Sequence, residues 1–430
     1  MISEPNLWHA TSREEVHAQP LSDNLSVDLA VIGGGFTGCS AALEAARAGA
    51  SVCLLEAEQV GHGGSGRNVG LVNAGLWLPP QAVIDQMGQP AGLHLIQTLA
   101  QAPEQVFALI ARESIDCEAT RNGTLHLAHS AAGLRDLQER FRQGVGLGAP
   151  LSLLDAQETA RRVGTDQFHG ALFDPRAGTI QPLAYVQGLA RAAQSAGAAL
   201  HIQSPVTSLD HADGDWVLRS NGHTVRARKI LVATNAYHLG IIAPFQPRFV
   251  PVYYSQYATD PLPESLRKTI LAGAEGCWDT ALVMSSMRMD QAGRLILGGI
   301  GNGEGVAGRL HGAWAQRKLA ALFPALKGYT LRHGWAGRIA MTSDHLPRIV
   351  AFGPNALACF GYSGRGIGPG TVFGLRAAQA LLRDDTEGLP VAPVSSHVEH
   401  FTTPRALWVE AGASLIHASA ARFGAGKPRP

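Results

Sequence analysis

One stretch near the N-terminus limits this chain's fold more than any other. The apolar run Val27-Asp28-Leu29-Ala30-Val31-Ile32 leads directly into Gly33-Gly34-Gly35-Phe36-Thr37-Gly38. A run of small residues over 39–48 follows and stops at Gly49, and a second apolar run, Val52-Cys53-Leu54-Leu55, ends at Glu56. The spacing predicts strand, helix and strand within about 30 residues, the size of a dinucleotide-binding unit. Each position has a physical reason. Gly33 permits the sharp turn, Gly35 leaves room for a pyrophosphate against the backbone, and Gly38 lets helix and sheet approach closely. Phe36 and Thr37 fall in the first helical turn, whose free N–H groups and partial positive charge suit phosphate. Glu56 is placed to accept hydrogen bonds from a ribose diol and to repel a 2′-phosphate.

The rest of the chain allows this unit to be one part of a larger protein. At 430 residues it is expected to form two domains around a sizeable core. A net charge of +1 with no basic block argues against a nucleic-acid surface. The five cysteines, Cys39, Cys53, Cys117, Cys277 and Cys359, form no ligand spacing and read as free thiols of a reduced, cytoplasmic protein. The first 26 residues, with Glu4, Glu14, Glu15 and Asp23, do not resemble a signal peptide. No run of about 18 apolar residues predicts a spanning helix.

Past Glu56 lies a polar glycine-rich loop over 61–70, at the carboxyl end of the expected sheet where ligands bind. Periodicity predicts helices over 93–112, 134–142, 155–163 and 185–196. Residues 216–226 read as a hairpin turning at Asn221-Gly222, followed by a buried strand over 229–235. From 244 to 309 strands follow one another without helices between them, which predicts an antiparallel sheet. A helix is expected over 313–323, a last strand over 355–361 and a last helix over 370–383.

A second glycine-rich loop, Gly361-Tyr362-Ser363-Gly364-Arg365-Gly366, precedes that last helix. Such a helix start can place its positive end against the flavin edge where charge accumulates on reduction. An ordinary helix start is the other reading. A serine-hydrolase elbow does not fit, because Arg365 stands where the closing glycine belongs. His126 and His129 lack a third ligand and read as solvated histidines.

With these motifs in order, the chain resembles the D-amino-acid oxidase superfamily of FAD-dependent oxidoreductases, on the branch of gamma-glutamylputrescine oxidase-like and glycine oxidase-like proteins. The residues that carry the resemblance are Val31 to Gly38, Glu56, Gly64-Ser65-Gly66-Arg67-Asn68 and Pro205-Val206. They continue with Ala233-Thr234-Asn235, Trp335-Ala336-Gly337 with Asp344 and Pro347, and the loop from Gly361 to Gly366. The resemblance implies an α/β fold: a discontinuous Rossmann-type FAD-binding domain over 1–90, 151–240 and 325–430. An antiparallel-sheet α+β substrate domain over 91–150 and 241–324 accompanies it.

For FAD it implies contacts at Gly33, Gly35, Phe36, Thr37, Gly38 and Glu56; at Gly64, Ser65, Arg67 and Asn68; and at Val206, Ala233 and Thr234. Gly361, Gly364, Arg365, Gly366 and Ile367 are implied around the flavin pyrimidine. Covalent-flavin relatives carry a cysteine near the position of Gly337; none is present, so FAD is expected to be non-covalent. Those relatives also carry a lysine where Gly368 stands.

The implied reaction is C–N oxidation of an amine or amino acid: hydride passes to flavin N5, water hydrolyses the imine and O2 is reduced to H2O2. A secondary amine, a small amino acid or a glutamylated polyamine is the expected substrate. Arg365 is the candidate to hold an anionic substrate end, with Arg338 as a second possibility. Tyr253 and Tyr254 are candidates for the pocket, with core packing the equal alternative. Two other readings stay open at this stage: a dehydrogenase using a quinone or carrier-protein acceptor, and a flavin-binding subunit without turnover.

Overall fold

A computed structural model describes residues 6–420 of the chain. Glu4 and the outer ends of the expected domains at 1 and 430 lie outside the described residues. Two eight-stranded sheets organise the molecule.

The first sheet is built on Leu25–Ile32. Val52–Leu55 pairs with it in parallel on one side and His223–Val232 on the other, and Ala199–His201 and Ala356–Phe360 extend the parallel run. Arg348–Gly353 closes one edge antiparallel. Successive residues of the central strand pack on opposite faces: Leu29 and Val31 join the helix-side core, Ala30 and Ile32 the other. A strand buried on both faces explains why the sequence reads as continuously apolar here. On the helix side, Phe36–Arg47 packs between Ile367–Arg383 and Pro182–Ser195. The hairpin forms as expected, with Asn221 and Gly222 both at positive φ, as a tight turn matched to strand twist requires. Its second arm and the separate strand expected over 229–235 are one strand, His223–Val232.

The second sheet runs in the order Leu331–Met341, Val250–Pro261, Arg294–Ile300, Ser285–Met289, Gly276–Asp279, Thr124–Leu127, Ala171–Asp174, Ser152–Leu154. Every pairing is antiparallel except Gly276–Asp279 with Thr124–Leu127, which is parallel. The helix Gly308–Leu322 covers it, burying Trp314, Leu319 and Leu322 against Tyr257, Leu295 and Leu297.

Several boundaries move. Leu331–Met341 was expected with the nucleotide domain over 325–430, and Ser152–Leu154 and Ala171–Asp174 with 151–240, yet all three pair into the second sheet. Hydrogen-bonded partners distant in sequence decide this, and sequence order does not reveal them. The helix expected over 93–112 is two helices, Gln89–Ala100 and Ala102–Arg112, with the break falling just before Pro103. The helix expected over 370–383 begins earlier, at Ile367, and it is not the last: Thr402–Ser419 follows.

Candidate active site

Between the two sheets lies a cavity of about 700 Å³. Its first end is made by the glycine turn. Gly33 sits at φ +109, and a Cβ there would stand 2.9 Å from the Ala233 carbonyl oxygen. A Cβ on Gly38 would lie 1.8 Å from the Gly33 carbonyl oxygen, so only hydrogen fits where the helix crosses the strand end. Gly38 therefore acts through packing; Gly33, Gly35, Phe36 and Thr37 line the cavity itself. The helix begins with Gly35 as its N-cap, and no side chain of that residue closes the N-terminus.

Glu56 lines this end. One carboxylate oxygen accepts the Gly34 N–H at 2.6 Å and the other the Glu58 N–H at 3.0 Å. Burial raises its pKa, and the two backbone donors partly counter that. Pro205, Val206, Ala233 and Thr234 complete the wall.

The 61–70 loop folds over the glycine turn. Gly64 and Ser65 line the cavity, and the Ser65 hydroxyl accepts the Phe36 N–H at 3.0 Å. Asn68 also reaches the wall, but its polar atoms brace the loop: its amide donates to the Gly64 and Ser65 carbonyls and its oxygen accepts the Gly70 N–H. Arg67 is turned away from the cavity. It donates to the His62 carbonyl at 2.8 Å and the Ala336 carbonyl at 3.1 Å, and lies 3.5 Å from Glu304. Its role here is to tie the loop to the second sheet, because two fixed carbonyls satisfy the guanidinium on that side.

The C-terminal loop meets the N-terminal turn directly. Tyr362 and Thr37 hydroxyls are 2.8 Å apart, and the Asn235 side chain accepts the Gly361 N–H at 3.1 Å. Gly364, Arg365, Gly366 and Ile367 line the cavity, and Gly366 is the N-cap of Ile367–Arg383. Gly361, at φ +82, holds the turn without lining the cavity.

The second sheet supplies the other wall: Tyr254, Gln256, Trp278, Met284 and Ser286, with Arg338 and Ile339 from its edge strand. Tyr253 is not among them. Adjacent strand residues face opposite sides, so placing Tyr254 in the cavity excludes Tyr253. Several wall atoms are buried without a partner: the Tyr254 hydroxyl, the Gln256 carbonyl oxygen, the Trp278 indole N–H and the Arg338 Nε. Burial also raises the Tyr254 phenol well above its ordinary pKa. Unpaired buried polar atoms around one cavity are costly unless a bound molecule meets them.

Arg365 is the wall's most telling side chain. Its guanidinium lies over the Trp278 ring, 4.8 Å from the centroid, and donates to the Ala74 carbonyl at 3.2 Å. Among the described residues no carboxylate pairs with it. Burial, helped by the Arg140 charge, pushes its pKa down to about 10. The Trp278 ring also stacks with His126, 4.9 Å between centroids. His126 is buried, not solvated, because the parallel strand pairing sets it beside Trp278; burial holds its pKa well below the usual value. His129 does remain exposed. Arg338 lies over the Tyr237 ring at 4.8 Å, and its backbone N–H donates to the Tyr237 hydroxyl. Trp278, Gln256 and Tyr237 carried no sequence signal, although Tyr237 lies two residues past the Ala233-Thr234-Asn235 motif.

A bare glycine turn, an acid at the next strand end and a long walled cavity fit an adenine dinucleotide with a reacting ring between the sheets. The family model of FAD dependent oxidoreductases, DAO, matches residues 28–380. This chain belongs to that family. It is 30% identical over 390 residues to the probable oxidoreductase OrdL of Haemophilus influenzae, covering 87% of this chain and 88% of the relative. It is likewise 30% identical over 390 residues to the gamma-glutamylputrescine oxidoreductase of Escherichia coli, covering 88% and 89%. Among solved structures it is similar to glycine oxidase from Geobacillus kaustophilus, with a TM-score of 0.73 and 21% identity over 87% of this chain and all of that one. The fold of this FAD dependent oxidoreductase is thus the α/β architecture expected from its sequence, and FAD is its cofactor. Among the described residues no helix is long and apolar enough to cross a membrane, and no cluster of three metal-ligating side chains occurs.

Proposed function

We propose that the protein oxidises the C–N bond of a small amine that bears a carboxylate, an amino acid or a secondary amine, with dioxygen as the electron acceptor. The observation that carries this reading is Arg365: a half-buried guanidinium, stacked on Trp278 at the cavity wall and, among the described residues, without an anionic partner. An arginine fork binds a carboxylate in two-point fashion, and a substrate anion would offset the desolvation that lowers the Arg365 pKa. The named activities of the relatives, on gamma-glutamylputrescine and on glycine, support a substrate holding both amine and carboxylate. A glutamylated polyamine also has both, so chain length is left to the experiment.

Gly33, Gly35, Phe36, Thr37, Glu56, Gly64, Ser65, Val206, Ala233 and Thr234 would hold the dinucleotide half of FAD, and Gly364 to Ile367 the ring. Bound FAD supplies the two-electron acceptor for the C–H bond next to nitrogen. The chain's own residues position the amine. The unpaired Gln256 oxygen is placed to accept an amine N–H, and the Tyr254 hydroxyl to donate. The carboxylates that line the cavity, Glu56 and Glu58, belong to the glycine-turn end. Among the described residues no wall carboxylate of the second sheet would hold a substrate nitrogen as ammonium, which favours the neutral amine whose lone pair assists hydride departure.

The test is anaerobic bleaching of the flavin absorbance by paired compounds, each amino acid against its decarboxylated amine. Bleaching by the carboxylated member alone, followed by peroxide release on admitting air, is the expected result. Preference for the decarboxylated member would overturn the substrate assignment. Reoxidation by a quinone but not by air would overturn the acceptor.

A further inference from the structure

The helix Thr402–Ser419 has its polarity inside out. Its charged residues, Arg405 and Glu410, are both paired with the body of the protein. Arg405 donates to the Ser343 hydroxyl at 2.8 Å and to Glu399 at 2.9 Å. Glu410 accepts from His311 at 2.9 Å and from the Asn302 backbone N–H. His417, turned inward, stacks on Trp314 with ring centroids 3.8 Å apart. The outward stripe, at three- and four-residue spacing, is Pro404, Leu407, Trp408, Ala411 and Leu415, with Phe401 just before it. Leu407 is 66% exposed, Trp408 81% and Leu415 72%. A surface helix ordinarily shows the reverse pattern.

This stripe adjoins the active cavity. Trp408 lines the cavity while facing solvent, and so does Leu282, which is 93% exposed. The mouth is therefore rimmed by large apolar side chains that nothing among the described residues covers. Phe401, Leu407, Trp408 and Leu415 together expose on the order of 500 Å², since aromatic side chains alone offer roughly 150–250 Å² each. That is at the scale of a functional patch and not of scattered surface leucines. With Pro404, Ala411 and Leu282 it approaches the roughly 800 Å² per partner of a standard interface.

We propose that the protein is a twofold dimer in which this stripe packs against the same stripe of a second copy, so that the partner copy's helix covers the cavity mouth beside Trp408 and Leu282. A twofold interface sets a patch against itself, and an uncharged apolar stripe is complementary to itself without any second surface. The stripe has no charge with which to recognise a charged partner. A helix lying on a membrane carries Lys or Arg along its polar face; here the helix's single arginine is paired with Glu399.

The full-length, FAD-loaded protein is tested by sedimentation velocity across a concentration series. A mass near twice the 45.3 kDa of one chain is expected. The double variant Leu407→Glu with Leu415→Glu, neither residue lining the cavity, is expected to halve that mass while keeping the wild-type circular dichroism and flavin spectrum. If those glutamates prevent folding, Leu407→Ser with Leu415→Ser makes the same test. A wild type that is monomeric throughout, or a folded variant that stays dimeric through another face, overturns the proposal. A monomer that floats with phosphatidylcholine vesicles also overturns it and assigns the stripe to lipid. None of these outcomes depends on which amine is the substrate.

Discussion

At the residue scale, Arg365 unites a cost and a use. A partly desolvated cation without a counter-ion weighs against the free protein, and the same charge binds a substrate anion once one enters. Arg365→Met is therefore expected to lower kcat/KM for a carboxylated amine by about 10²–10³, the usual range for removing one partner of a buried charge pair. The melting temperature of the substrate-free protein should not fall, because the uncompensated charge goes with the side chain. A merely structural arginine would show the opposite pair of results in a stability scan and steady-state assay. Arg365→Lys keeps the charge but loses the planar face over Trp278 and the two-point fork, so its main effect should be a rise in KM. Glycine makes a different argument. Gly38→Ala places a methyl 1.8 Å from the Gly33 carbonyl oxygen, which is rigid backbone. We expect a loss of about 3 kcal/mol or more in a denaturant titration, at the upper end of overpacking effects, with weakened FAD retention.

At the element scale, the two glycine loops meet because their helices pack without side chains in the way. Gly374 of Ile367–Arg383 faces Phe36–Arg47, where a Cβ would lie 2.2 Å from both the Ser40 hydroxyl and the Thr37 carbonyl oxygen. Ser40 also donates to the Thr371 carbonyl. The C-terminal helix is latched by a pair of imidazoles, with His311 and His417 Nδ1 atoms 2.7 Å apart. Burial, then the charges of His311, Lys318 and Arg317, pushes the His417 pKa down to about 3. An unfolded histidine titrates near 6.5. Between those values the unfolded chain binds a proton that the folded one refuses, so stability is complete above about pH 6.5 and declines as pH falls through the window. Thermal melts from neutral to mildly acid pH should show a smaller acid loss in His417→Phe, which keeps a ring on Trp314, than in the wild type.

At the scale of the whole molecule, the cavity is the seam between two sheets, and FAD would touch both. Ligand that binds only the folded state adds stability by mass action, about 2.7 kcal/mol at one hundred times its dissociation constant. Stripping the flavin should therefore lower the melting temperature, and restoring it in excess should raise it again in a single cooperative transition. If the two sheets were joined only by the polypeptide, the nucleotide sheet alone would shift and the transition would split in the calorimeter.

The N-terminal unit was legible from the residues because its constraints are local. A strand buried on both faces, a turn that only glycine fits and an acid at the next strand end are encoded within one short segment. The loop from Gly361 to Gly366 was legible for the same reason. Other features depended on pairing across the chain. Tyr254 faces the cavity and Tyr253 does not because of the register of one strand. Trp278 and His126 came together through a parallel pair inside an antiparallel sheet, and Arg67 turned away because the Ala336 carbonyl lies beside it. The helix Thr402–Ser419 escaped periodicity because its large apolar residues face solvent while Glu410 and His417 meet the body of the protein. Sequence alone determined the nucleotide turn and its acid, since these follow from backbone conformation and local charge, while the chemistry came from the resemblance to a known family. Only the tertiary structure decided which side chains share the cavity and which stand at its mouth, because burial and strand register are properties of distant partners.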